Sequence, residues 1–440
     1  METVFGLVIT FVMLMFSIYK GIFIGYPLLI SFFIFVIISL RKGYSIAAIS
    51  KMAYDGGKKS FVVLKIFILI GAITAVWMSS GTVPSIVYYG INLMNPNYFI
   101  FYAFIISSLV SFLLGTSLGT VSTVGLALIV MAKSGEVNTS IAAGAIIAGA
   151  YFGDRCSPMS SSANLIANLT ETELFINIKN MLKSAVLPFI LSLILYFVVS
   201  LSSPLNTASG GIDKAIVKSF EISILALLPS IIILVLSIFR VNVKISMFLS
   251  IALASVLSIY IQGYKINEVL YFILMGFHLD FANPLYLIIK GGGIISMLRP
   301  AIVVFISCSL AGIFEGTKTL QSVEKLLLKA NSRSSLFLYT TIVSILTAAF
   351  GSNQSIAAVL TASLMDKAYK QNSVDKYQMA LDLENTGIVL SALIPWNLAA
   401  FVPTSTMDVS PVGFIPYAFY LYLLPITSYM ILRYRKNSTY

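Results

Sequence analysis

Apolar runs of near-spanning length, separated by short loops, set the limits on what this chain can fold into. Residues 2–19, 21–40, 60–80, 98–115, 117–132, 184–202, 217–238, 245–262 and 300–315 are such runs. A hydrocarbon core about 30 Å thick needs roughly 20 apolar residues of α-helix to cross it. Of 440 residues 58% are hydrophobic and 10% charged, with mean hydropathy +0.95, a balance that excludes a soluble domain of this size. The expected fold is an all-α polytopic membrane protein, multi-pass in the cytoplasmic (plasma) membrane, with the lipid bilayer as its first partner. The net charge of +11 does not point to nucleic acid, because Lys and Arg sit in short loops between apolar runs. Cys156 and Cys308 lie in or beside apolar segments, so no disulfide framework is expected. His278 is the single histidine, which rules out a histidine-rich metal site. Residues 2–19 lack a basic start and a small-residue cleavage site, and read as a first spanning helix rather than a signal peptide.

One stretch breaks this apolar pattern. Residues 144–164 read GAIIAGAYFGDRCSPMSSSAN, inside a helix expected over about 139–168. Gly153 and Pro158, five positions apart, predict a helix break, because Gly releases the backbone and Pro removes a donor. Freed backbone groups inside a bilayer survive only where protein or water satisfies them. A break that carries Asp154, Arg155 and a row of hydroxyls reads as the discontinuous helix of a secondary transporter. The competing reading is a surface turn.

The chain also reads as two copies of one plan, residues 1–202 and 215–433. Gly43-Tyr44 recurs as Gly263-Tyr264, Gly56 as Gly276, Gly81-Thr82 as Gly316-Thr317, and the hairpin Gly115-Thr116-Ser117 as Gly351-Ser352-Asn353-Gln354. A second broken helix, expected over 381–401, carries Pro395 where the first carries Pro158. An insertion near 280–296, containing Gly291-Gly292-Gly293, separates the early landmarks from the later ones. Basic residues cluster in the arm at 41–59 and in the loop at 318–333, but not at 83–97 or 203–213. By the positive-inside rule, equivalent loops of the two halves then lie on opposite faces. The expectation is two inverted-topology repeats whose broken helices and hairpins meet at mid-membrane.

Two patches could carry the chemistry. Asp154 leads the first, since a carboxylate at mid-membrane can bind a cation or a proton, and competition between the two is the simplest basis of antiport. Ser157, Ser160, Ser161, Ser162 and Asn164 add neutral oxygens suited to a hard cation such as sodium, with Asp154, Ser157 and Asn164 as its candidate ligands. Each serine alone could equally be a small packing residue. Thr116 and Ser117 of the first hairpin are placed facing this patch. Arg155 either pairs with Asp154 and clamps it ionised or turns toward lipid headgroups; a structural role is the reading adopted. The second patch is Asn353 and Gln354 at the second hairpin with Glu384, Asn385, Thr386, Trp396 and Asn397 around the second break. Either Asp382 or Glu384 could simply mark the cytoplasmic helix end, and Trp396 could be a packing anchor. No P-loop is present, and no Ser-Asp pair has a usable His, so neither an enzyme nor a bound cofactor is expected. An ion channel fits an internally duplicated chain less well than alternating access does.

These segments resemble a known family. GTSLGTVSTVG at 115–125, GAYFGDRCSPMSSSAN at 149–164 and LENTGIVLSALIPWN at 383–397 are similar to the NhaC family of sodium/proton antiporters, over most of the chain. The resemblance implies inverted repeats, a homodimer and elevator-type motion, as in the wider ion transporter superfamily. It implies a site at Gly153, Asp154, Ser157, Pro158, Ser160 and Asn164, and at Glu384, Gly387, Ile394, Pro395, Trp396 and Asn397. Two departures stand out. Ser161 and Asn353 occupy positions where the family often carries an acid, and Ala163 replaces a hydroxyl. The family is also associated with malate–lactate exchange and amino-acid uptake. A site with fewer acids would also receive a small carboxylate or amino acid, its carboxylate facing Arg155 or a half-helix N-terminus.

Overall fold

The computed structural model describes residues 2–206, 212–239, 241–283, 285–286, 288–317, 330 and 332–437. Most of the expected loop at 318–333 and residues 207–211 of the loop at 203–213 lie outside the described residues. Among those described, seven helices are long and apolar enough to cross a membrane. The number becomes eight if Lys376–Leu393 and Leu398–Met407, bent by 46°, form one broken span. The protein is therefore an all-α polytopic membrane protein, with one two-stranded ladder among the described residues, pairing Phe277–His278 with Lys290–Gly291.

The helices divide by what surrounds them. The most apolar stretch of Ser117–Ser134 is 83% buried, so its neighbours are protein, whereas those of Leu174–Ser202 and Val243–Tyr260 are 28% buried and turn mostly outward. Their outward residues, among them Val186, Ile190, Ile194 and Phe248, are large and apolar, as a lipid-facing surface requires. The interior is built of small residues. Gly153 lies so close to a neighbouring helix that a Cβ there would meet the Phe112 backbone nitrogen at 2.3 Å.

Several boundaries differ from expectation. The basic arm and the apolar run after it form one continuous helix, Ile46–Ser79. At 1.5 Å per residue, 34 residues extend about 51 Å, well beyond the hydrocarbon core, so the first turns carry Lys51, Lys58 and Lys59 outside the core. Gly56 lies inside this helix, whereas Gly276 ends another with φ +102°, so the two are not equivalent positions. The charge-free stretch after Gly81 contains the helix Thr82–Leu93. The helix expected over 217–238 is divided into Ile212–Ser219, Ile224–Leu227 and Leu228–Ile238.

The two hairpins and the two broken helices place the site. The first hairpin joins Phe99–Leu114 to Ser117–Ser134 through Gly115, in the left-handed conformation at φ +66°. The second joins Arg333–Gly351 to Gln354–Gln371 through Ser352, also left-handed at φ +49°. Ser352, not Gly351, is thus the conformational counterpart of Gly115. The first broken helix is Thr139–Cys156 followed by Ser161–Thr170; the second is Lys376–Leu393 followed by Leu398–Met407.

Candidate functional site

The first break begins later than the sequence implies. Gly153 remains helical, and the helix continues to Cys156, so the freed segment is residues 157–160. Ser157 turns the chain into extended backbone, and Pro158 follows it. Asp154 therefore sits in the last turn of the helix before the break, 6% exposed. Ser117 Oγ, at the start of the returning hairpin arm, donates to Asp154 Oδ2 at 2.9 Å. Ser160 Oγ donates to Asp154 Oδ1 at 3.1 Å. The Ser160 hydroxyl also caps the next helix, accepting from the Ser162 and Ala163 amides at 3.1 Å each. A carboxylate is thus held between a hydroxyl of the hairpin and the N-terminus of a ten-residue half-helix, whose dipole favours negative charge nearby.

The other expected members of this patch stand apart from the carboxylate. Ser157 Oγ accepts from the Met159 amide at 3.1 Å and shapes the turn. Ser161 points outward and is exposed; Ser162 bonds Ser160 at 2.8 Å. Asn164 donates to the Ser160 carbonyl at 2.7 Å. Thr116 caps the returning arm of the hairpin, accepting from the Gly119 amide at 3.4 Å. Of the residues grouped around Asp154, the structure brings Ser117 and Ser160 into direct contact with it.

Arg155 follows neither expected course. It is fully buried and points away from Asp154 into a polar cage: Met181 O at 3.2 Å, Tyr420 OH at 3.3 Å, Ser184 Oγ at 2.8 Å and, in a short contact, Asn385 Oδ1. Its guanidinium joins the first broken helix to the second, to Leu174–Ser202 and to Phe419–Asn437. Lipid headgroups cannot reach it.

The second break uses its polar groups differently. Pro395 lies between the short turn Ser391–Leu393 and the helix that starts at Leu398. Trp396 Nε1 donates to the Ala349 carbonyl at 2.6 Å, and Asn397 Nδ2 to the Ala348 carbonyl at 2.7 Å. Asn397 Oδ1 also accepts from the Ala399 amide at 3.0 Å, and the Leu398 amide donates to Ser352 O at 2.9 Å. The Trp396, Asn397 Nδ2 and Leu398 bonds tie the break to the end of the second hairpin, while the Asn397 Oδ1 bond caps the half-helix. Asn353 caps that hairpin's returning arm through the Ser355 amide at 2.8 Å, while Gln354 Nε2 is buried without a partner among the described residues.

One helical stretch earlier, residues Glu384–Ile388 widen into a π-turn, a departure that often marks functional positions. Glu384 is 1% exposed, and neither carboxyl oxygen has a hydrogen-bond partner among the described residues. It lies within electrostatic reach of Asp154 and Arg155. Asn385 holds Arg155 and donates to Ser428 Oγ at 3.0 Å. Thr386 Oγ1 donates to the Asp382 carbonyl at 2.7 Å and lies 3.0 Å from Ser344 Oγ. Asp382 is buried and paired with Arg333 Nη2 at 2.7 Å.

Sequence reasoning missed three contributors. Tyr151 OH donates to the Ala399 carbonyl at 2.8 Å, joining the two broken helices across 248 residues. Ser184 and Tyr420 complete the Arg155 cage. Tyr151 sits in the flagged stretch, one turn before Asp154, and that spacing could have singled it out. Nothing in the sequence marks Ser184 or Tyr420.

The comparisons with known proteins agree on a class. The model of the Na+/H+ antiporter family matches residues 149–434, which contain both helix breaks. The chain is 28% identical to a Na(+)/H(+) antiporter NhaC of Alkalihalophilus pseudofirmus, over 84% of this chain and 81% of that protein. It is 27% identical to a malate-2H(+)/Na(+)-lactate antiporter of Bacillus subtilis, over 92% and 88% of the two chains. It is also 27% identical to an arginine/ornithine antiporter, ArcD, of Halobacterium salinarum, over 85% and 79%. With an Asp-bearing break of this geometry inside the matched region, the chain belongs to the Na+/H+ antiporter family.

Proposed function

We propose that the protein is a secondary active transporter of the plasma membrane that exchanges sodium for protons, with the cation seated at Asp154. The observation that carries this reading is the buried carboxylate at a helix break, with Ser117 and Ser160 hydroxyls on its two oxygens. Hydroxyl donors can rotate to present lone pairs when a cation arrives, so the same atoms serve the empty and the loaded site. Glu384 is the proton carrier in this reading. A charged carboxylate with no donor is costly to bury, so the unpartnered Glu384 suits a neutral, protonated side chain. Sodium at Asp154 adds positive charge within reach of Glu384 and favours release of that proton, which couples the two ions. Arg155 holds the two broken helices in register rather than binding cargo.

The chain is further read as two inverted-topology copies, 1–202 and 215–433, with elevator-type motion as in the wider superfamily. This is supported by local geometry recurring 237 positions apart. Three left-handed pairs, Gly115 and Ser352, Glu136 and Ser373, Glu171 and Asp408, share that spacing. So do the helix-capping residues Ser160 and Asn397 and the helix-interior prolines Pro188 and Pro425. A homodimer, as in the wider superfamily, is part of the same proposal. The inverted reading places 41–59 in the cytoplasm and 203–206 outside. Equal labelling of Ser50→Cys and Ser203→Cys by an impermeant thiol reagent in intact cells would contradict it.

The functional test is reconstitution. In proteoliposomes of the purified protein, an external sodium pulse should raise internal pH, with no such response to choline. A flat trace for sodium, with accumulation of a labelled amino acid or carboxylate instead, would transfer the function to organic exchange. The relatives named for organic cargo are about as similar as those named for sodium, so this second arm is screened in the same vesicles.

A further inference from the structure

The insertion that separates the two halves' landmarks builds one wall of a cavity of about 590 Å³, none of whose lining residues belongs to the Asp154 site. The Phe277–His278 and Lys290–Gly291 ladder sets His278 directly opposite Lys290. Gly292, at φ +73°, then runs against the long helix so closely that a Cβ would meet the Ala75 amide nitrogen at 2.4 Å. This contact holds the ladder over Thr74. Lys133 and Arg299 reach the same space from the end of the first hairpin and from the helix Leu298–Gly316. Among the described residues, the only acidic one lining the cavity is Asp408, and it lies 3.6 Å from Lys133. Lys290 and Arg299 have no carboxylate partner among the described residues. Thr74, 3% exposed, lies beneath the ladder at the cavity wall. The rest of the wall is largely apolar, with Met275, Phe277 and Phe401.

We infer that this cavity binds a small organic anion, a carboxylate with an apolar body. A volume within the usual ligand range of about 300–1,000 Å³ is far larger than chloride or sodium requires. Lys290, whose ammonium lies over the Tyr286 ring, and Arg299 have no carboxylate partner among the described residues, and two such cations against one paired acid repel sodium and attract an anion. The apolar wall receives a hydrocarbon body. A lipid headgroup offers similar anionic chemistry, and the test separates the two sources. The inference does not depend on sodium/proton exchange at Asp154.

The experiment follows thermal unfolding of the full-length protein in phosphatidylcholine nanodiscs, titrated with the choline salts of butyrate and succinate at constant ionic strength. A saturable rise in melting temperature is expected. Its half-saturating concentration should increase about tenfold or more in Lys290→Gln and in Arg299→Gln, the loss expected for one charge-assisted contact. Both side chains are exposed, so these variants should fold, and Asp154→Asn should retain the response. The inference is overturned if neither acid gives a saturable rise, or if choline chloride gives the same one. It is equally overturned if both variants respond like the parent. A response that arises only when phosphatidylglycerol is added to the nanodisc would assign the cavity to lipid, against the proposal.

Discussion

The two broken helices share a shape and differ in where their polar groups go. At the first, two hydroxyls converge on a carboxylate, so the break is furnished with oxygen ligands. At the second, Trp396, Asn397 and the Leu398 amide all bond the end of the neighbouring hairpin, and the carboxylate, Glu384, lies earlier in its helix with no hydrogen-bond partner among the described residues. On the proposed reading the two breaks divide the labour: the first holds the ion, and the second holds the backbone while Glu384 keeps a proton nearby. Ser161 is exposed and Asn353 caps its helix, and neither side chain is hydrogen-bonded to the Asp154 carboxylate.

The most damaging change to this contrast is Asp154→Asn. It keeps shape but removes the charge, and sodium-driven proton flux in vesicles should fall by about 100-fold, as loss of a charged contact worth ~3 kcal/mol implies. Retained flux with an unchanged sodium dependence would make Asp154 a structural residue. Glu384→Gln should act differently, lowering exchange by about tenfold or more while leaving sodium binding within about threefold of the parent, because a fixed amide cannot trade its proton. Loss of sodium binding in that variant would erase the division between the breaks. Asn397→Ala should leave the ion sites intact and instead destabilise the protein by about 1–3 kcal/mol, through an orphaned buried carbonyl at Ala348 and a lost helix cap. Unfolding measured in detergent checks it. Within the first break, Ser160→Ala should weaken sodium binding about tenfold, whereas Ser161→Ala should change it less than about twofold. Equal effects of the two serines would place Ser161 at the ion as well.

The smallest expected effect concerns the exposed turn after the first half-helix. There Glu171 is hydrogen-bonded to Lys376 of the other half, which holds its carboxyl below the usual range. A lowered value means the contact contributes above the ordinary glutamate pKa of about 4.3 and is lost as pH falls through the folded-state value. Lys376→Gln should therefore differ slightly from the parent at neutral pH and low salt, and match it at strongly acidic pH. Both side chains are exposed, so added salt should also remove the difference.

Much of this was legible in the sequence, for physical reasons. Apolar runs and the Gly–Pro interruptions report the bilayer and the breaks directly, and Asp154 stands out because a charge is costly in that setting. The bounds of the breaks were less legible. Gly153 looks like a breaker but is used for close approach to the Phe112 backbone, and only packing distinguishes the two. The left-handed turn at Ser352 was hidden because Gly351 beside it is the residue a turn would prefer. The choice among the serines was invisible for a similar reason. Ser160 and Ser161 are adjacent, and which one faces Asp154 depends on the register at which the half-helix restarts. The Arg155 cage joins residues from 155 to 420 and leaves no local pattern.

The central claim is that sodium at Asp154 and a proton at Glu384 are bound in competition. The direct measurement is proton release on sodium addition, read by a pH electrode with the purified protein in weakly buffered detergent, alongside calorimetric sodium binding. The account predicts proton release with the parent, sodium binding without release in Glu384→Gln, and neither in Asp154→Asn. Sodium binding with full proton release in Asp154→Asn would contradict it.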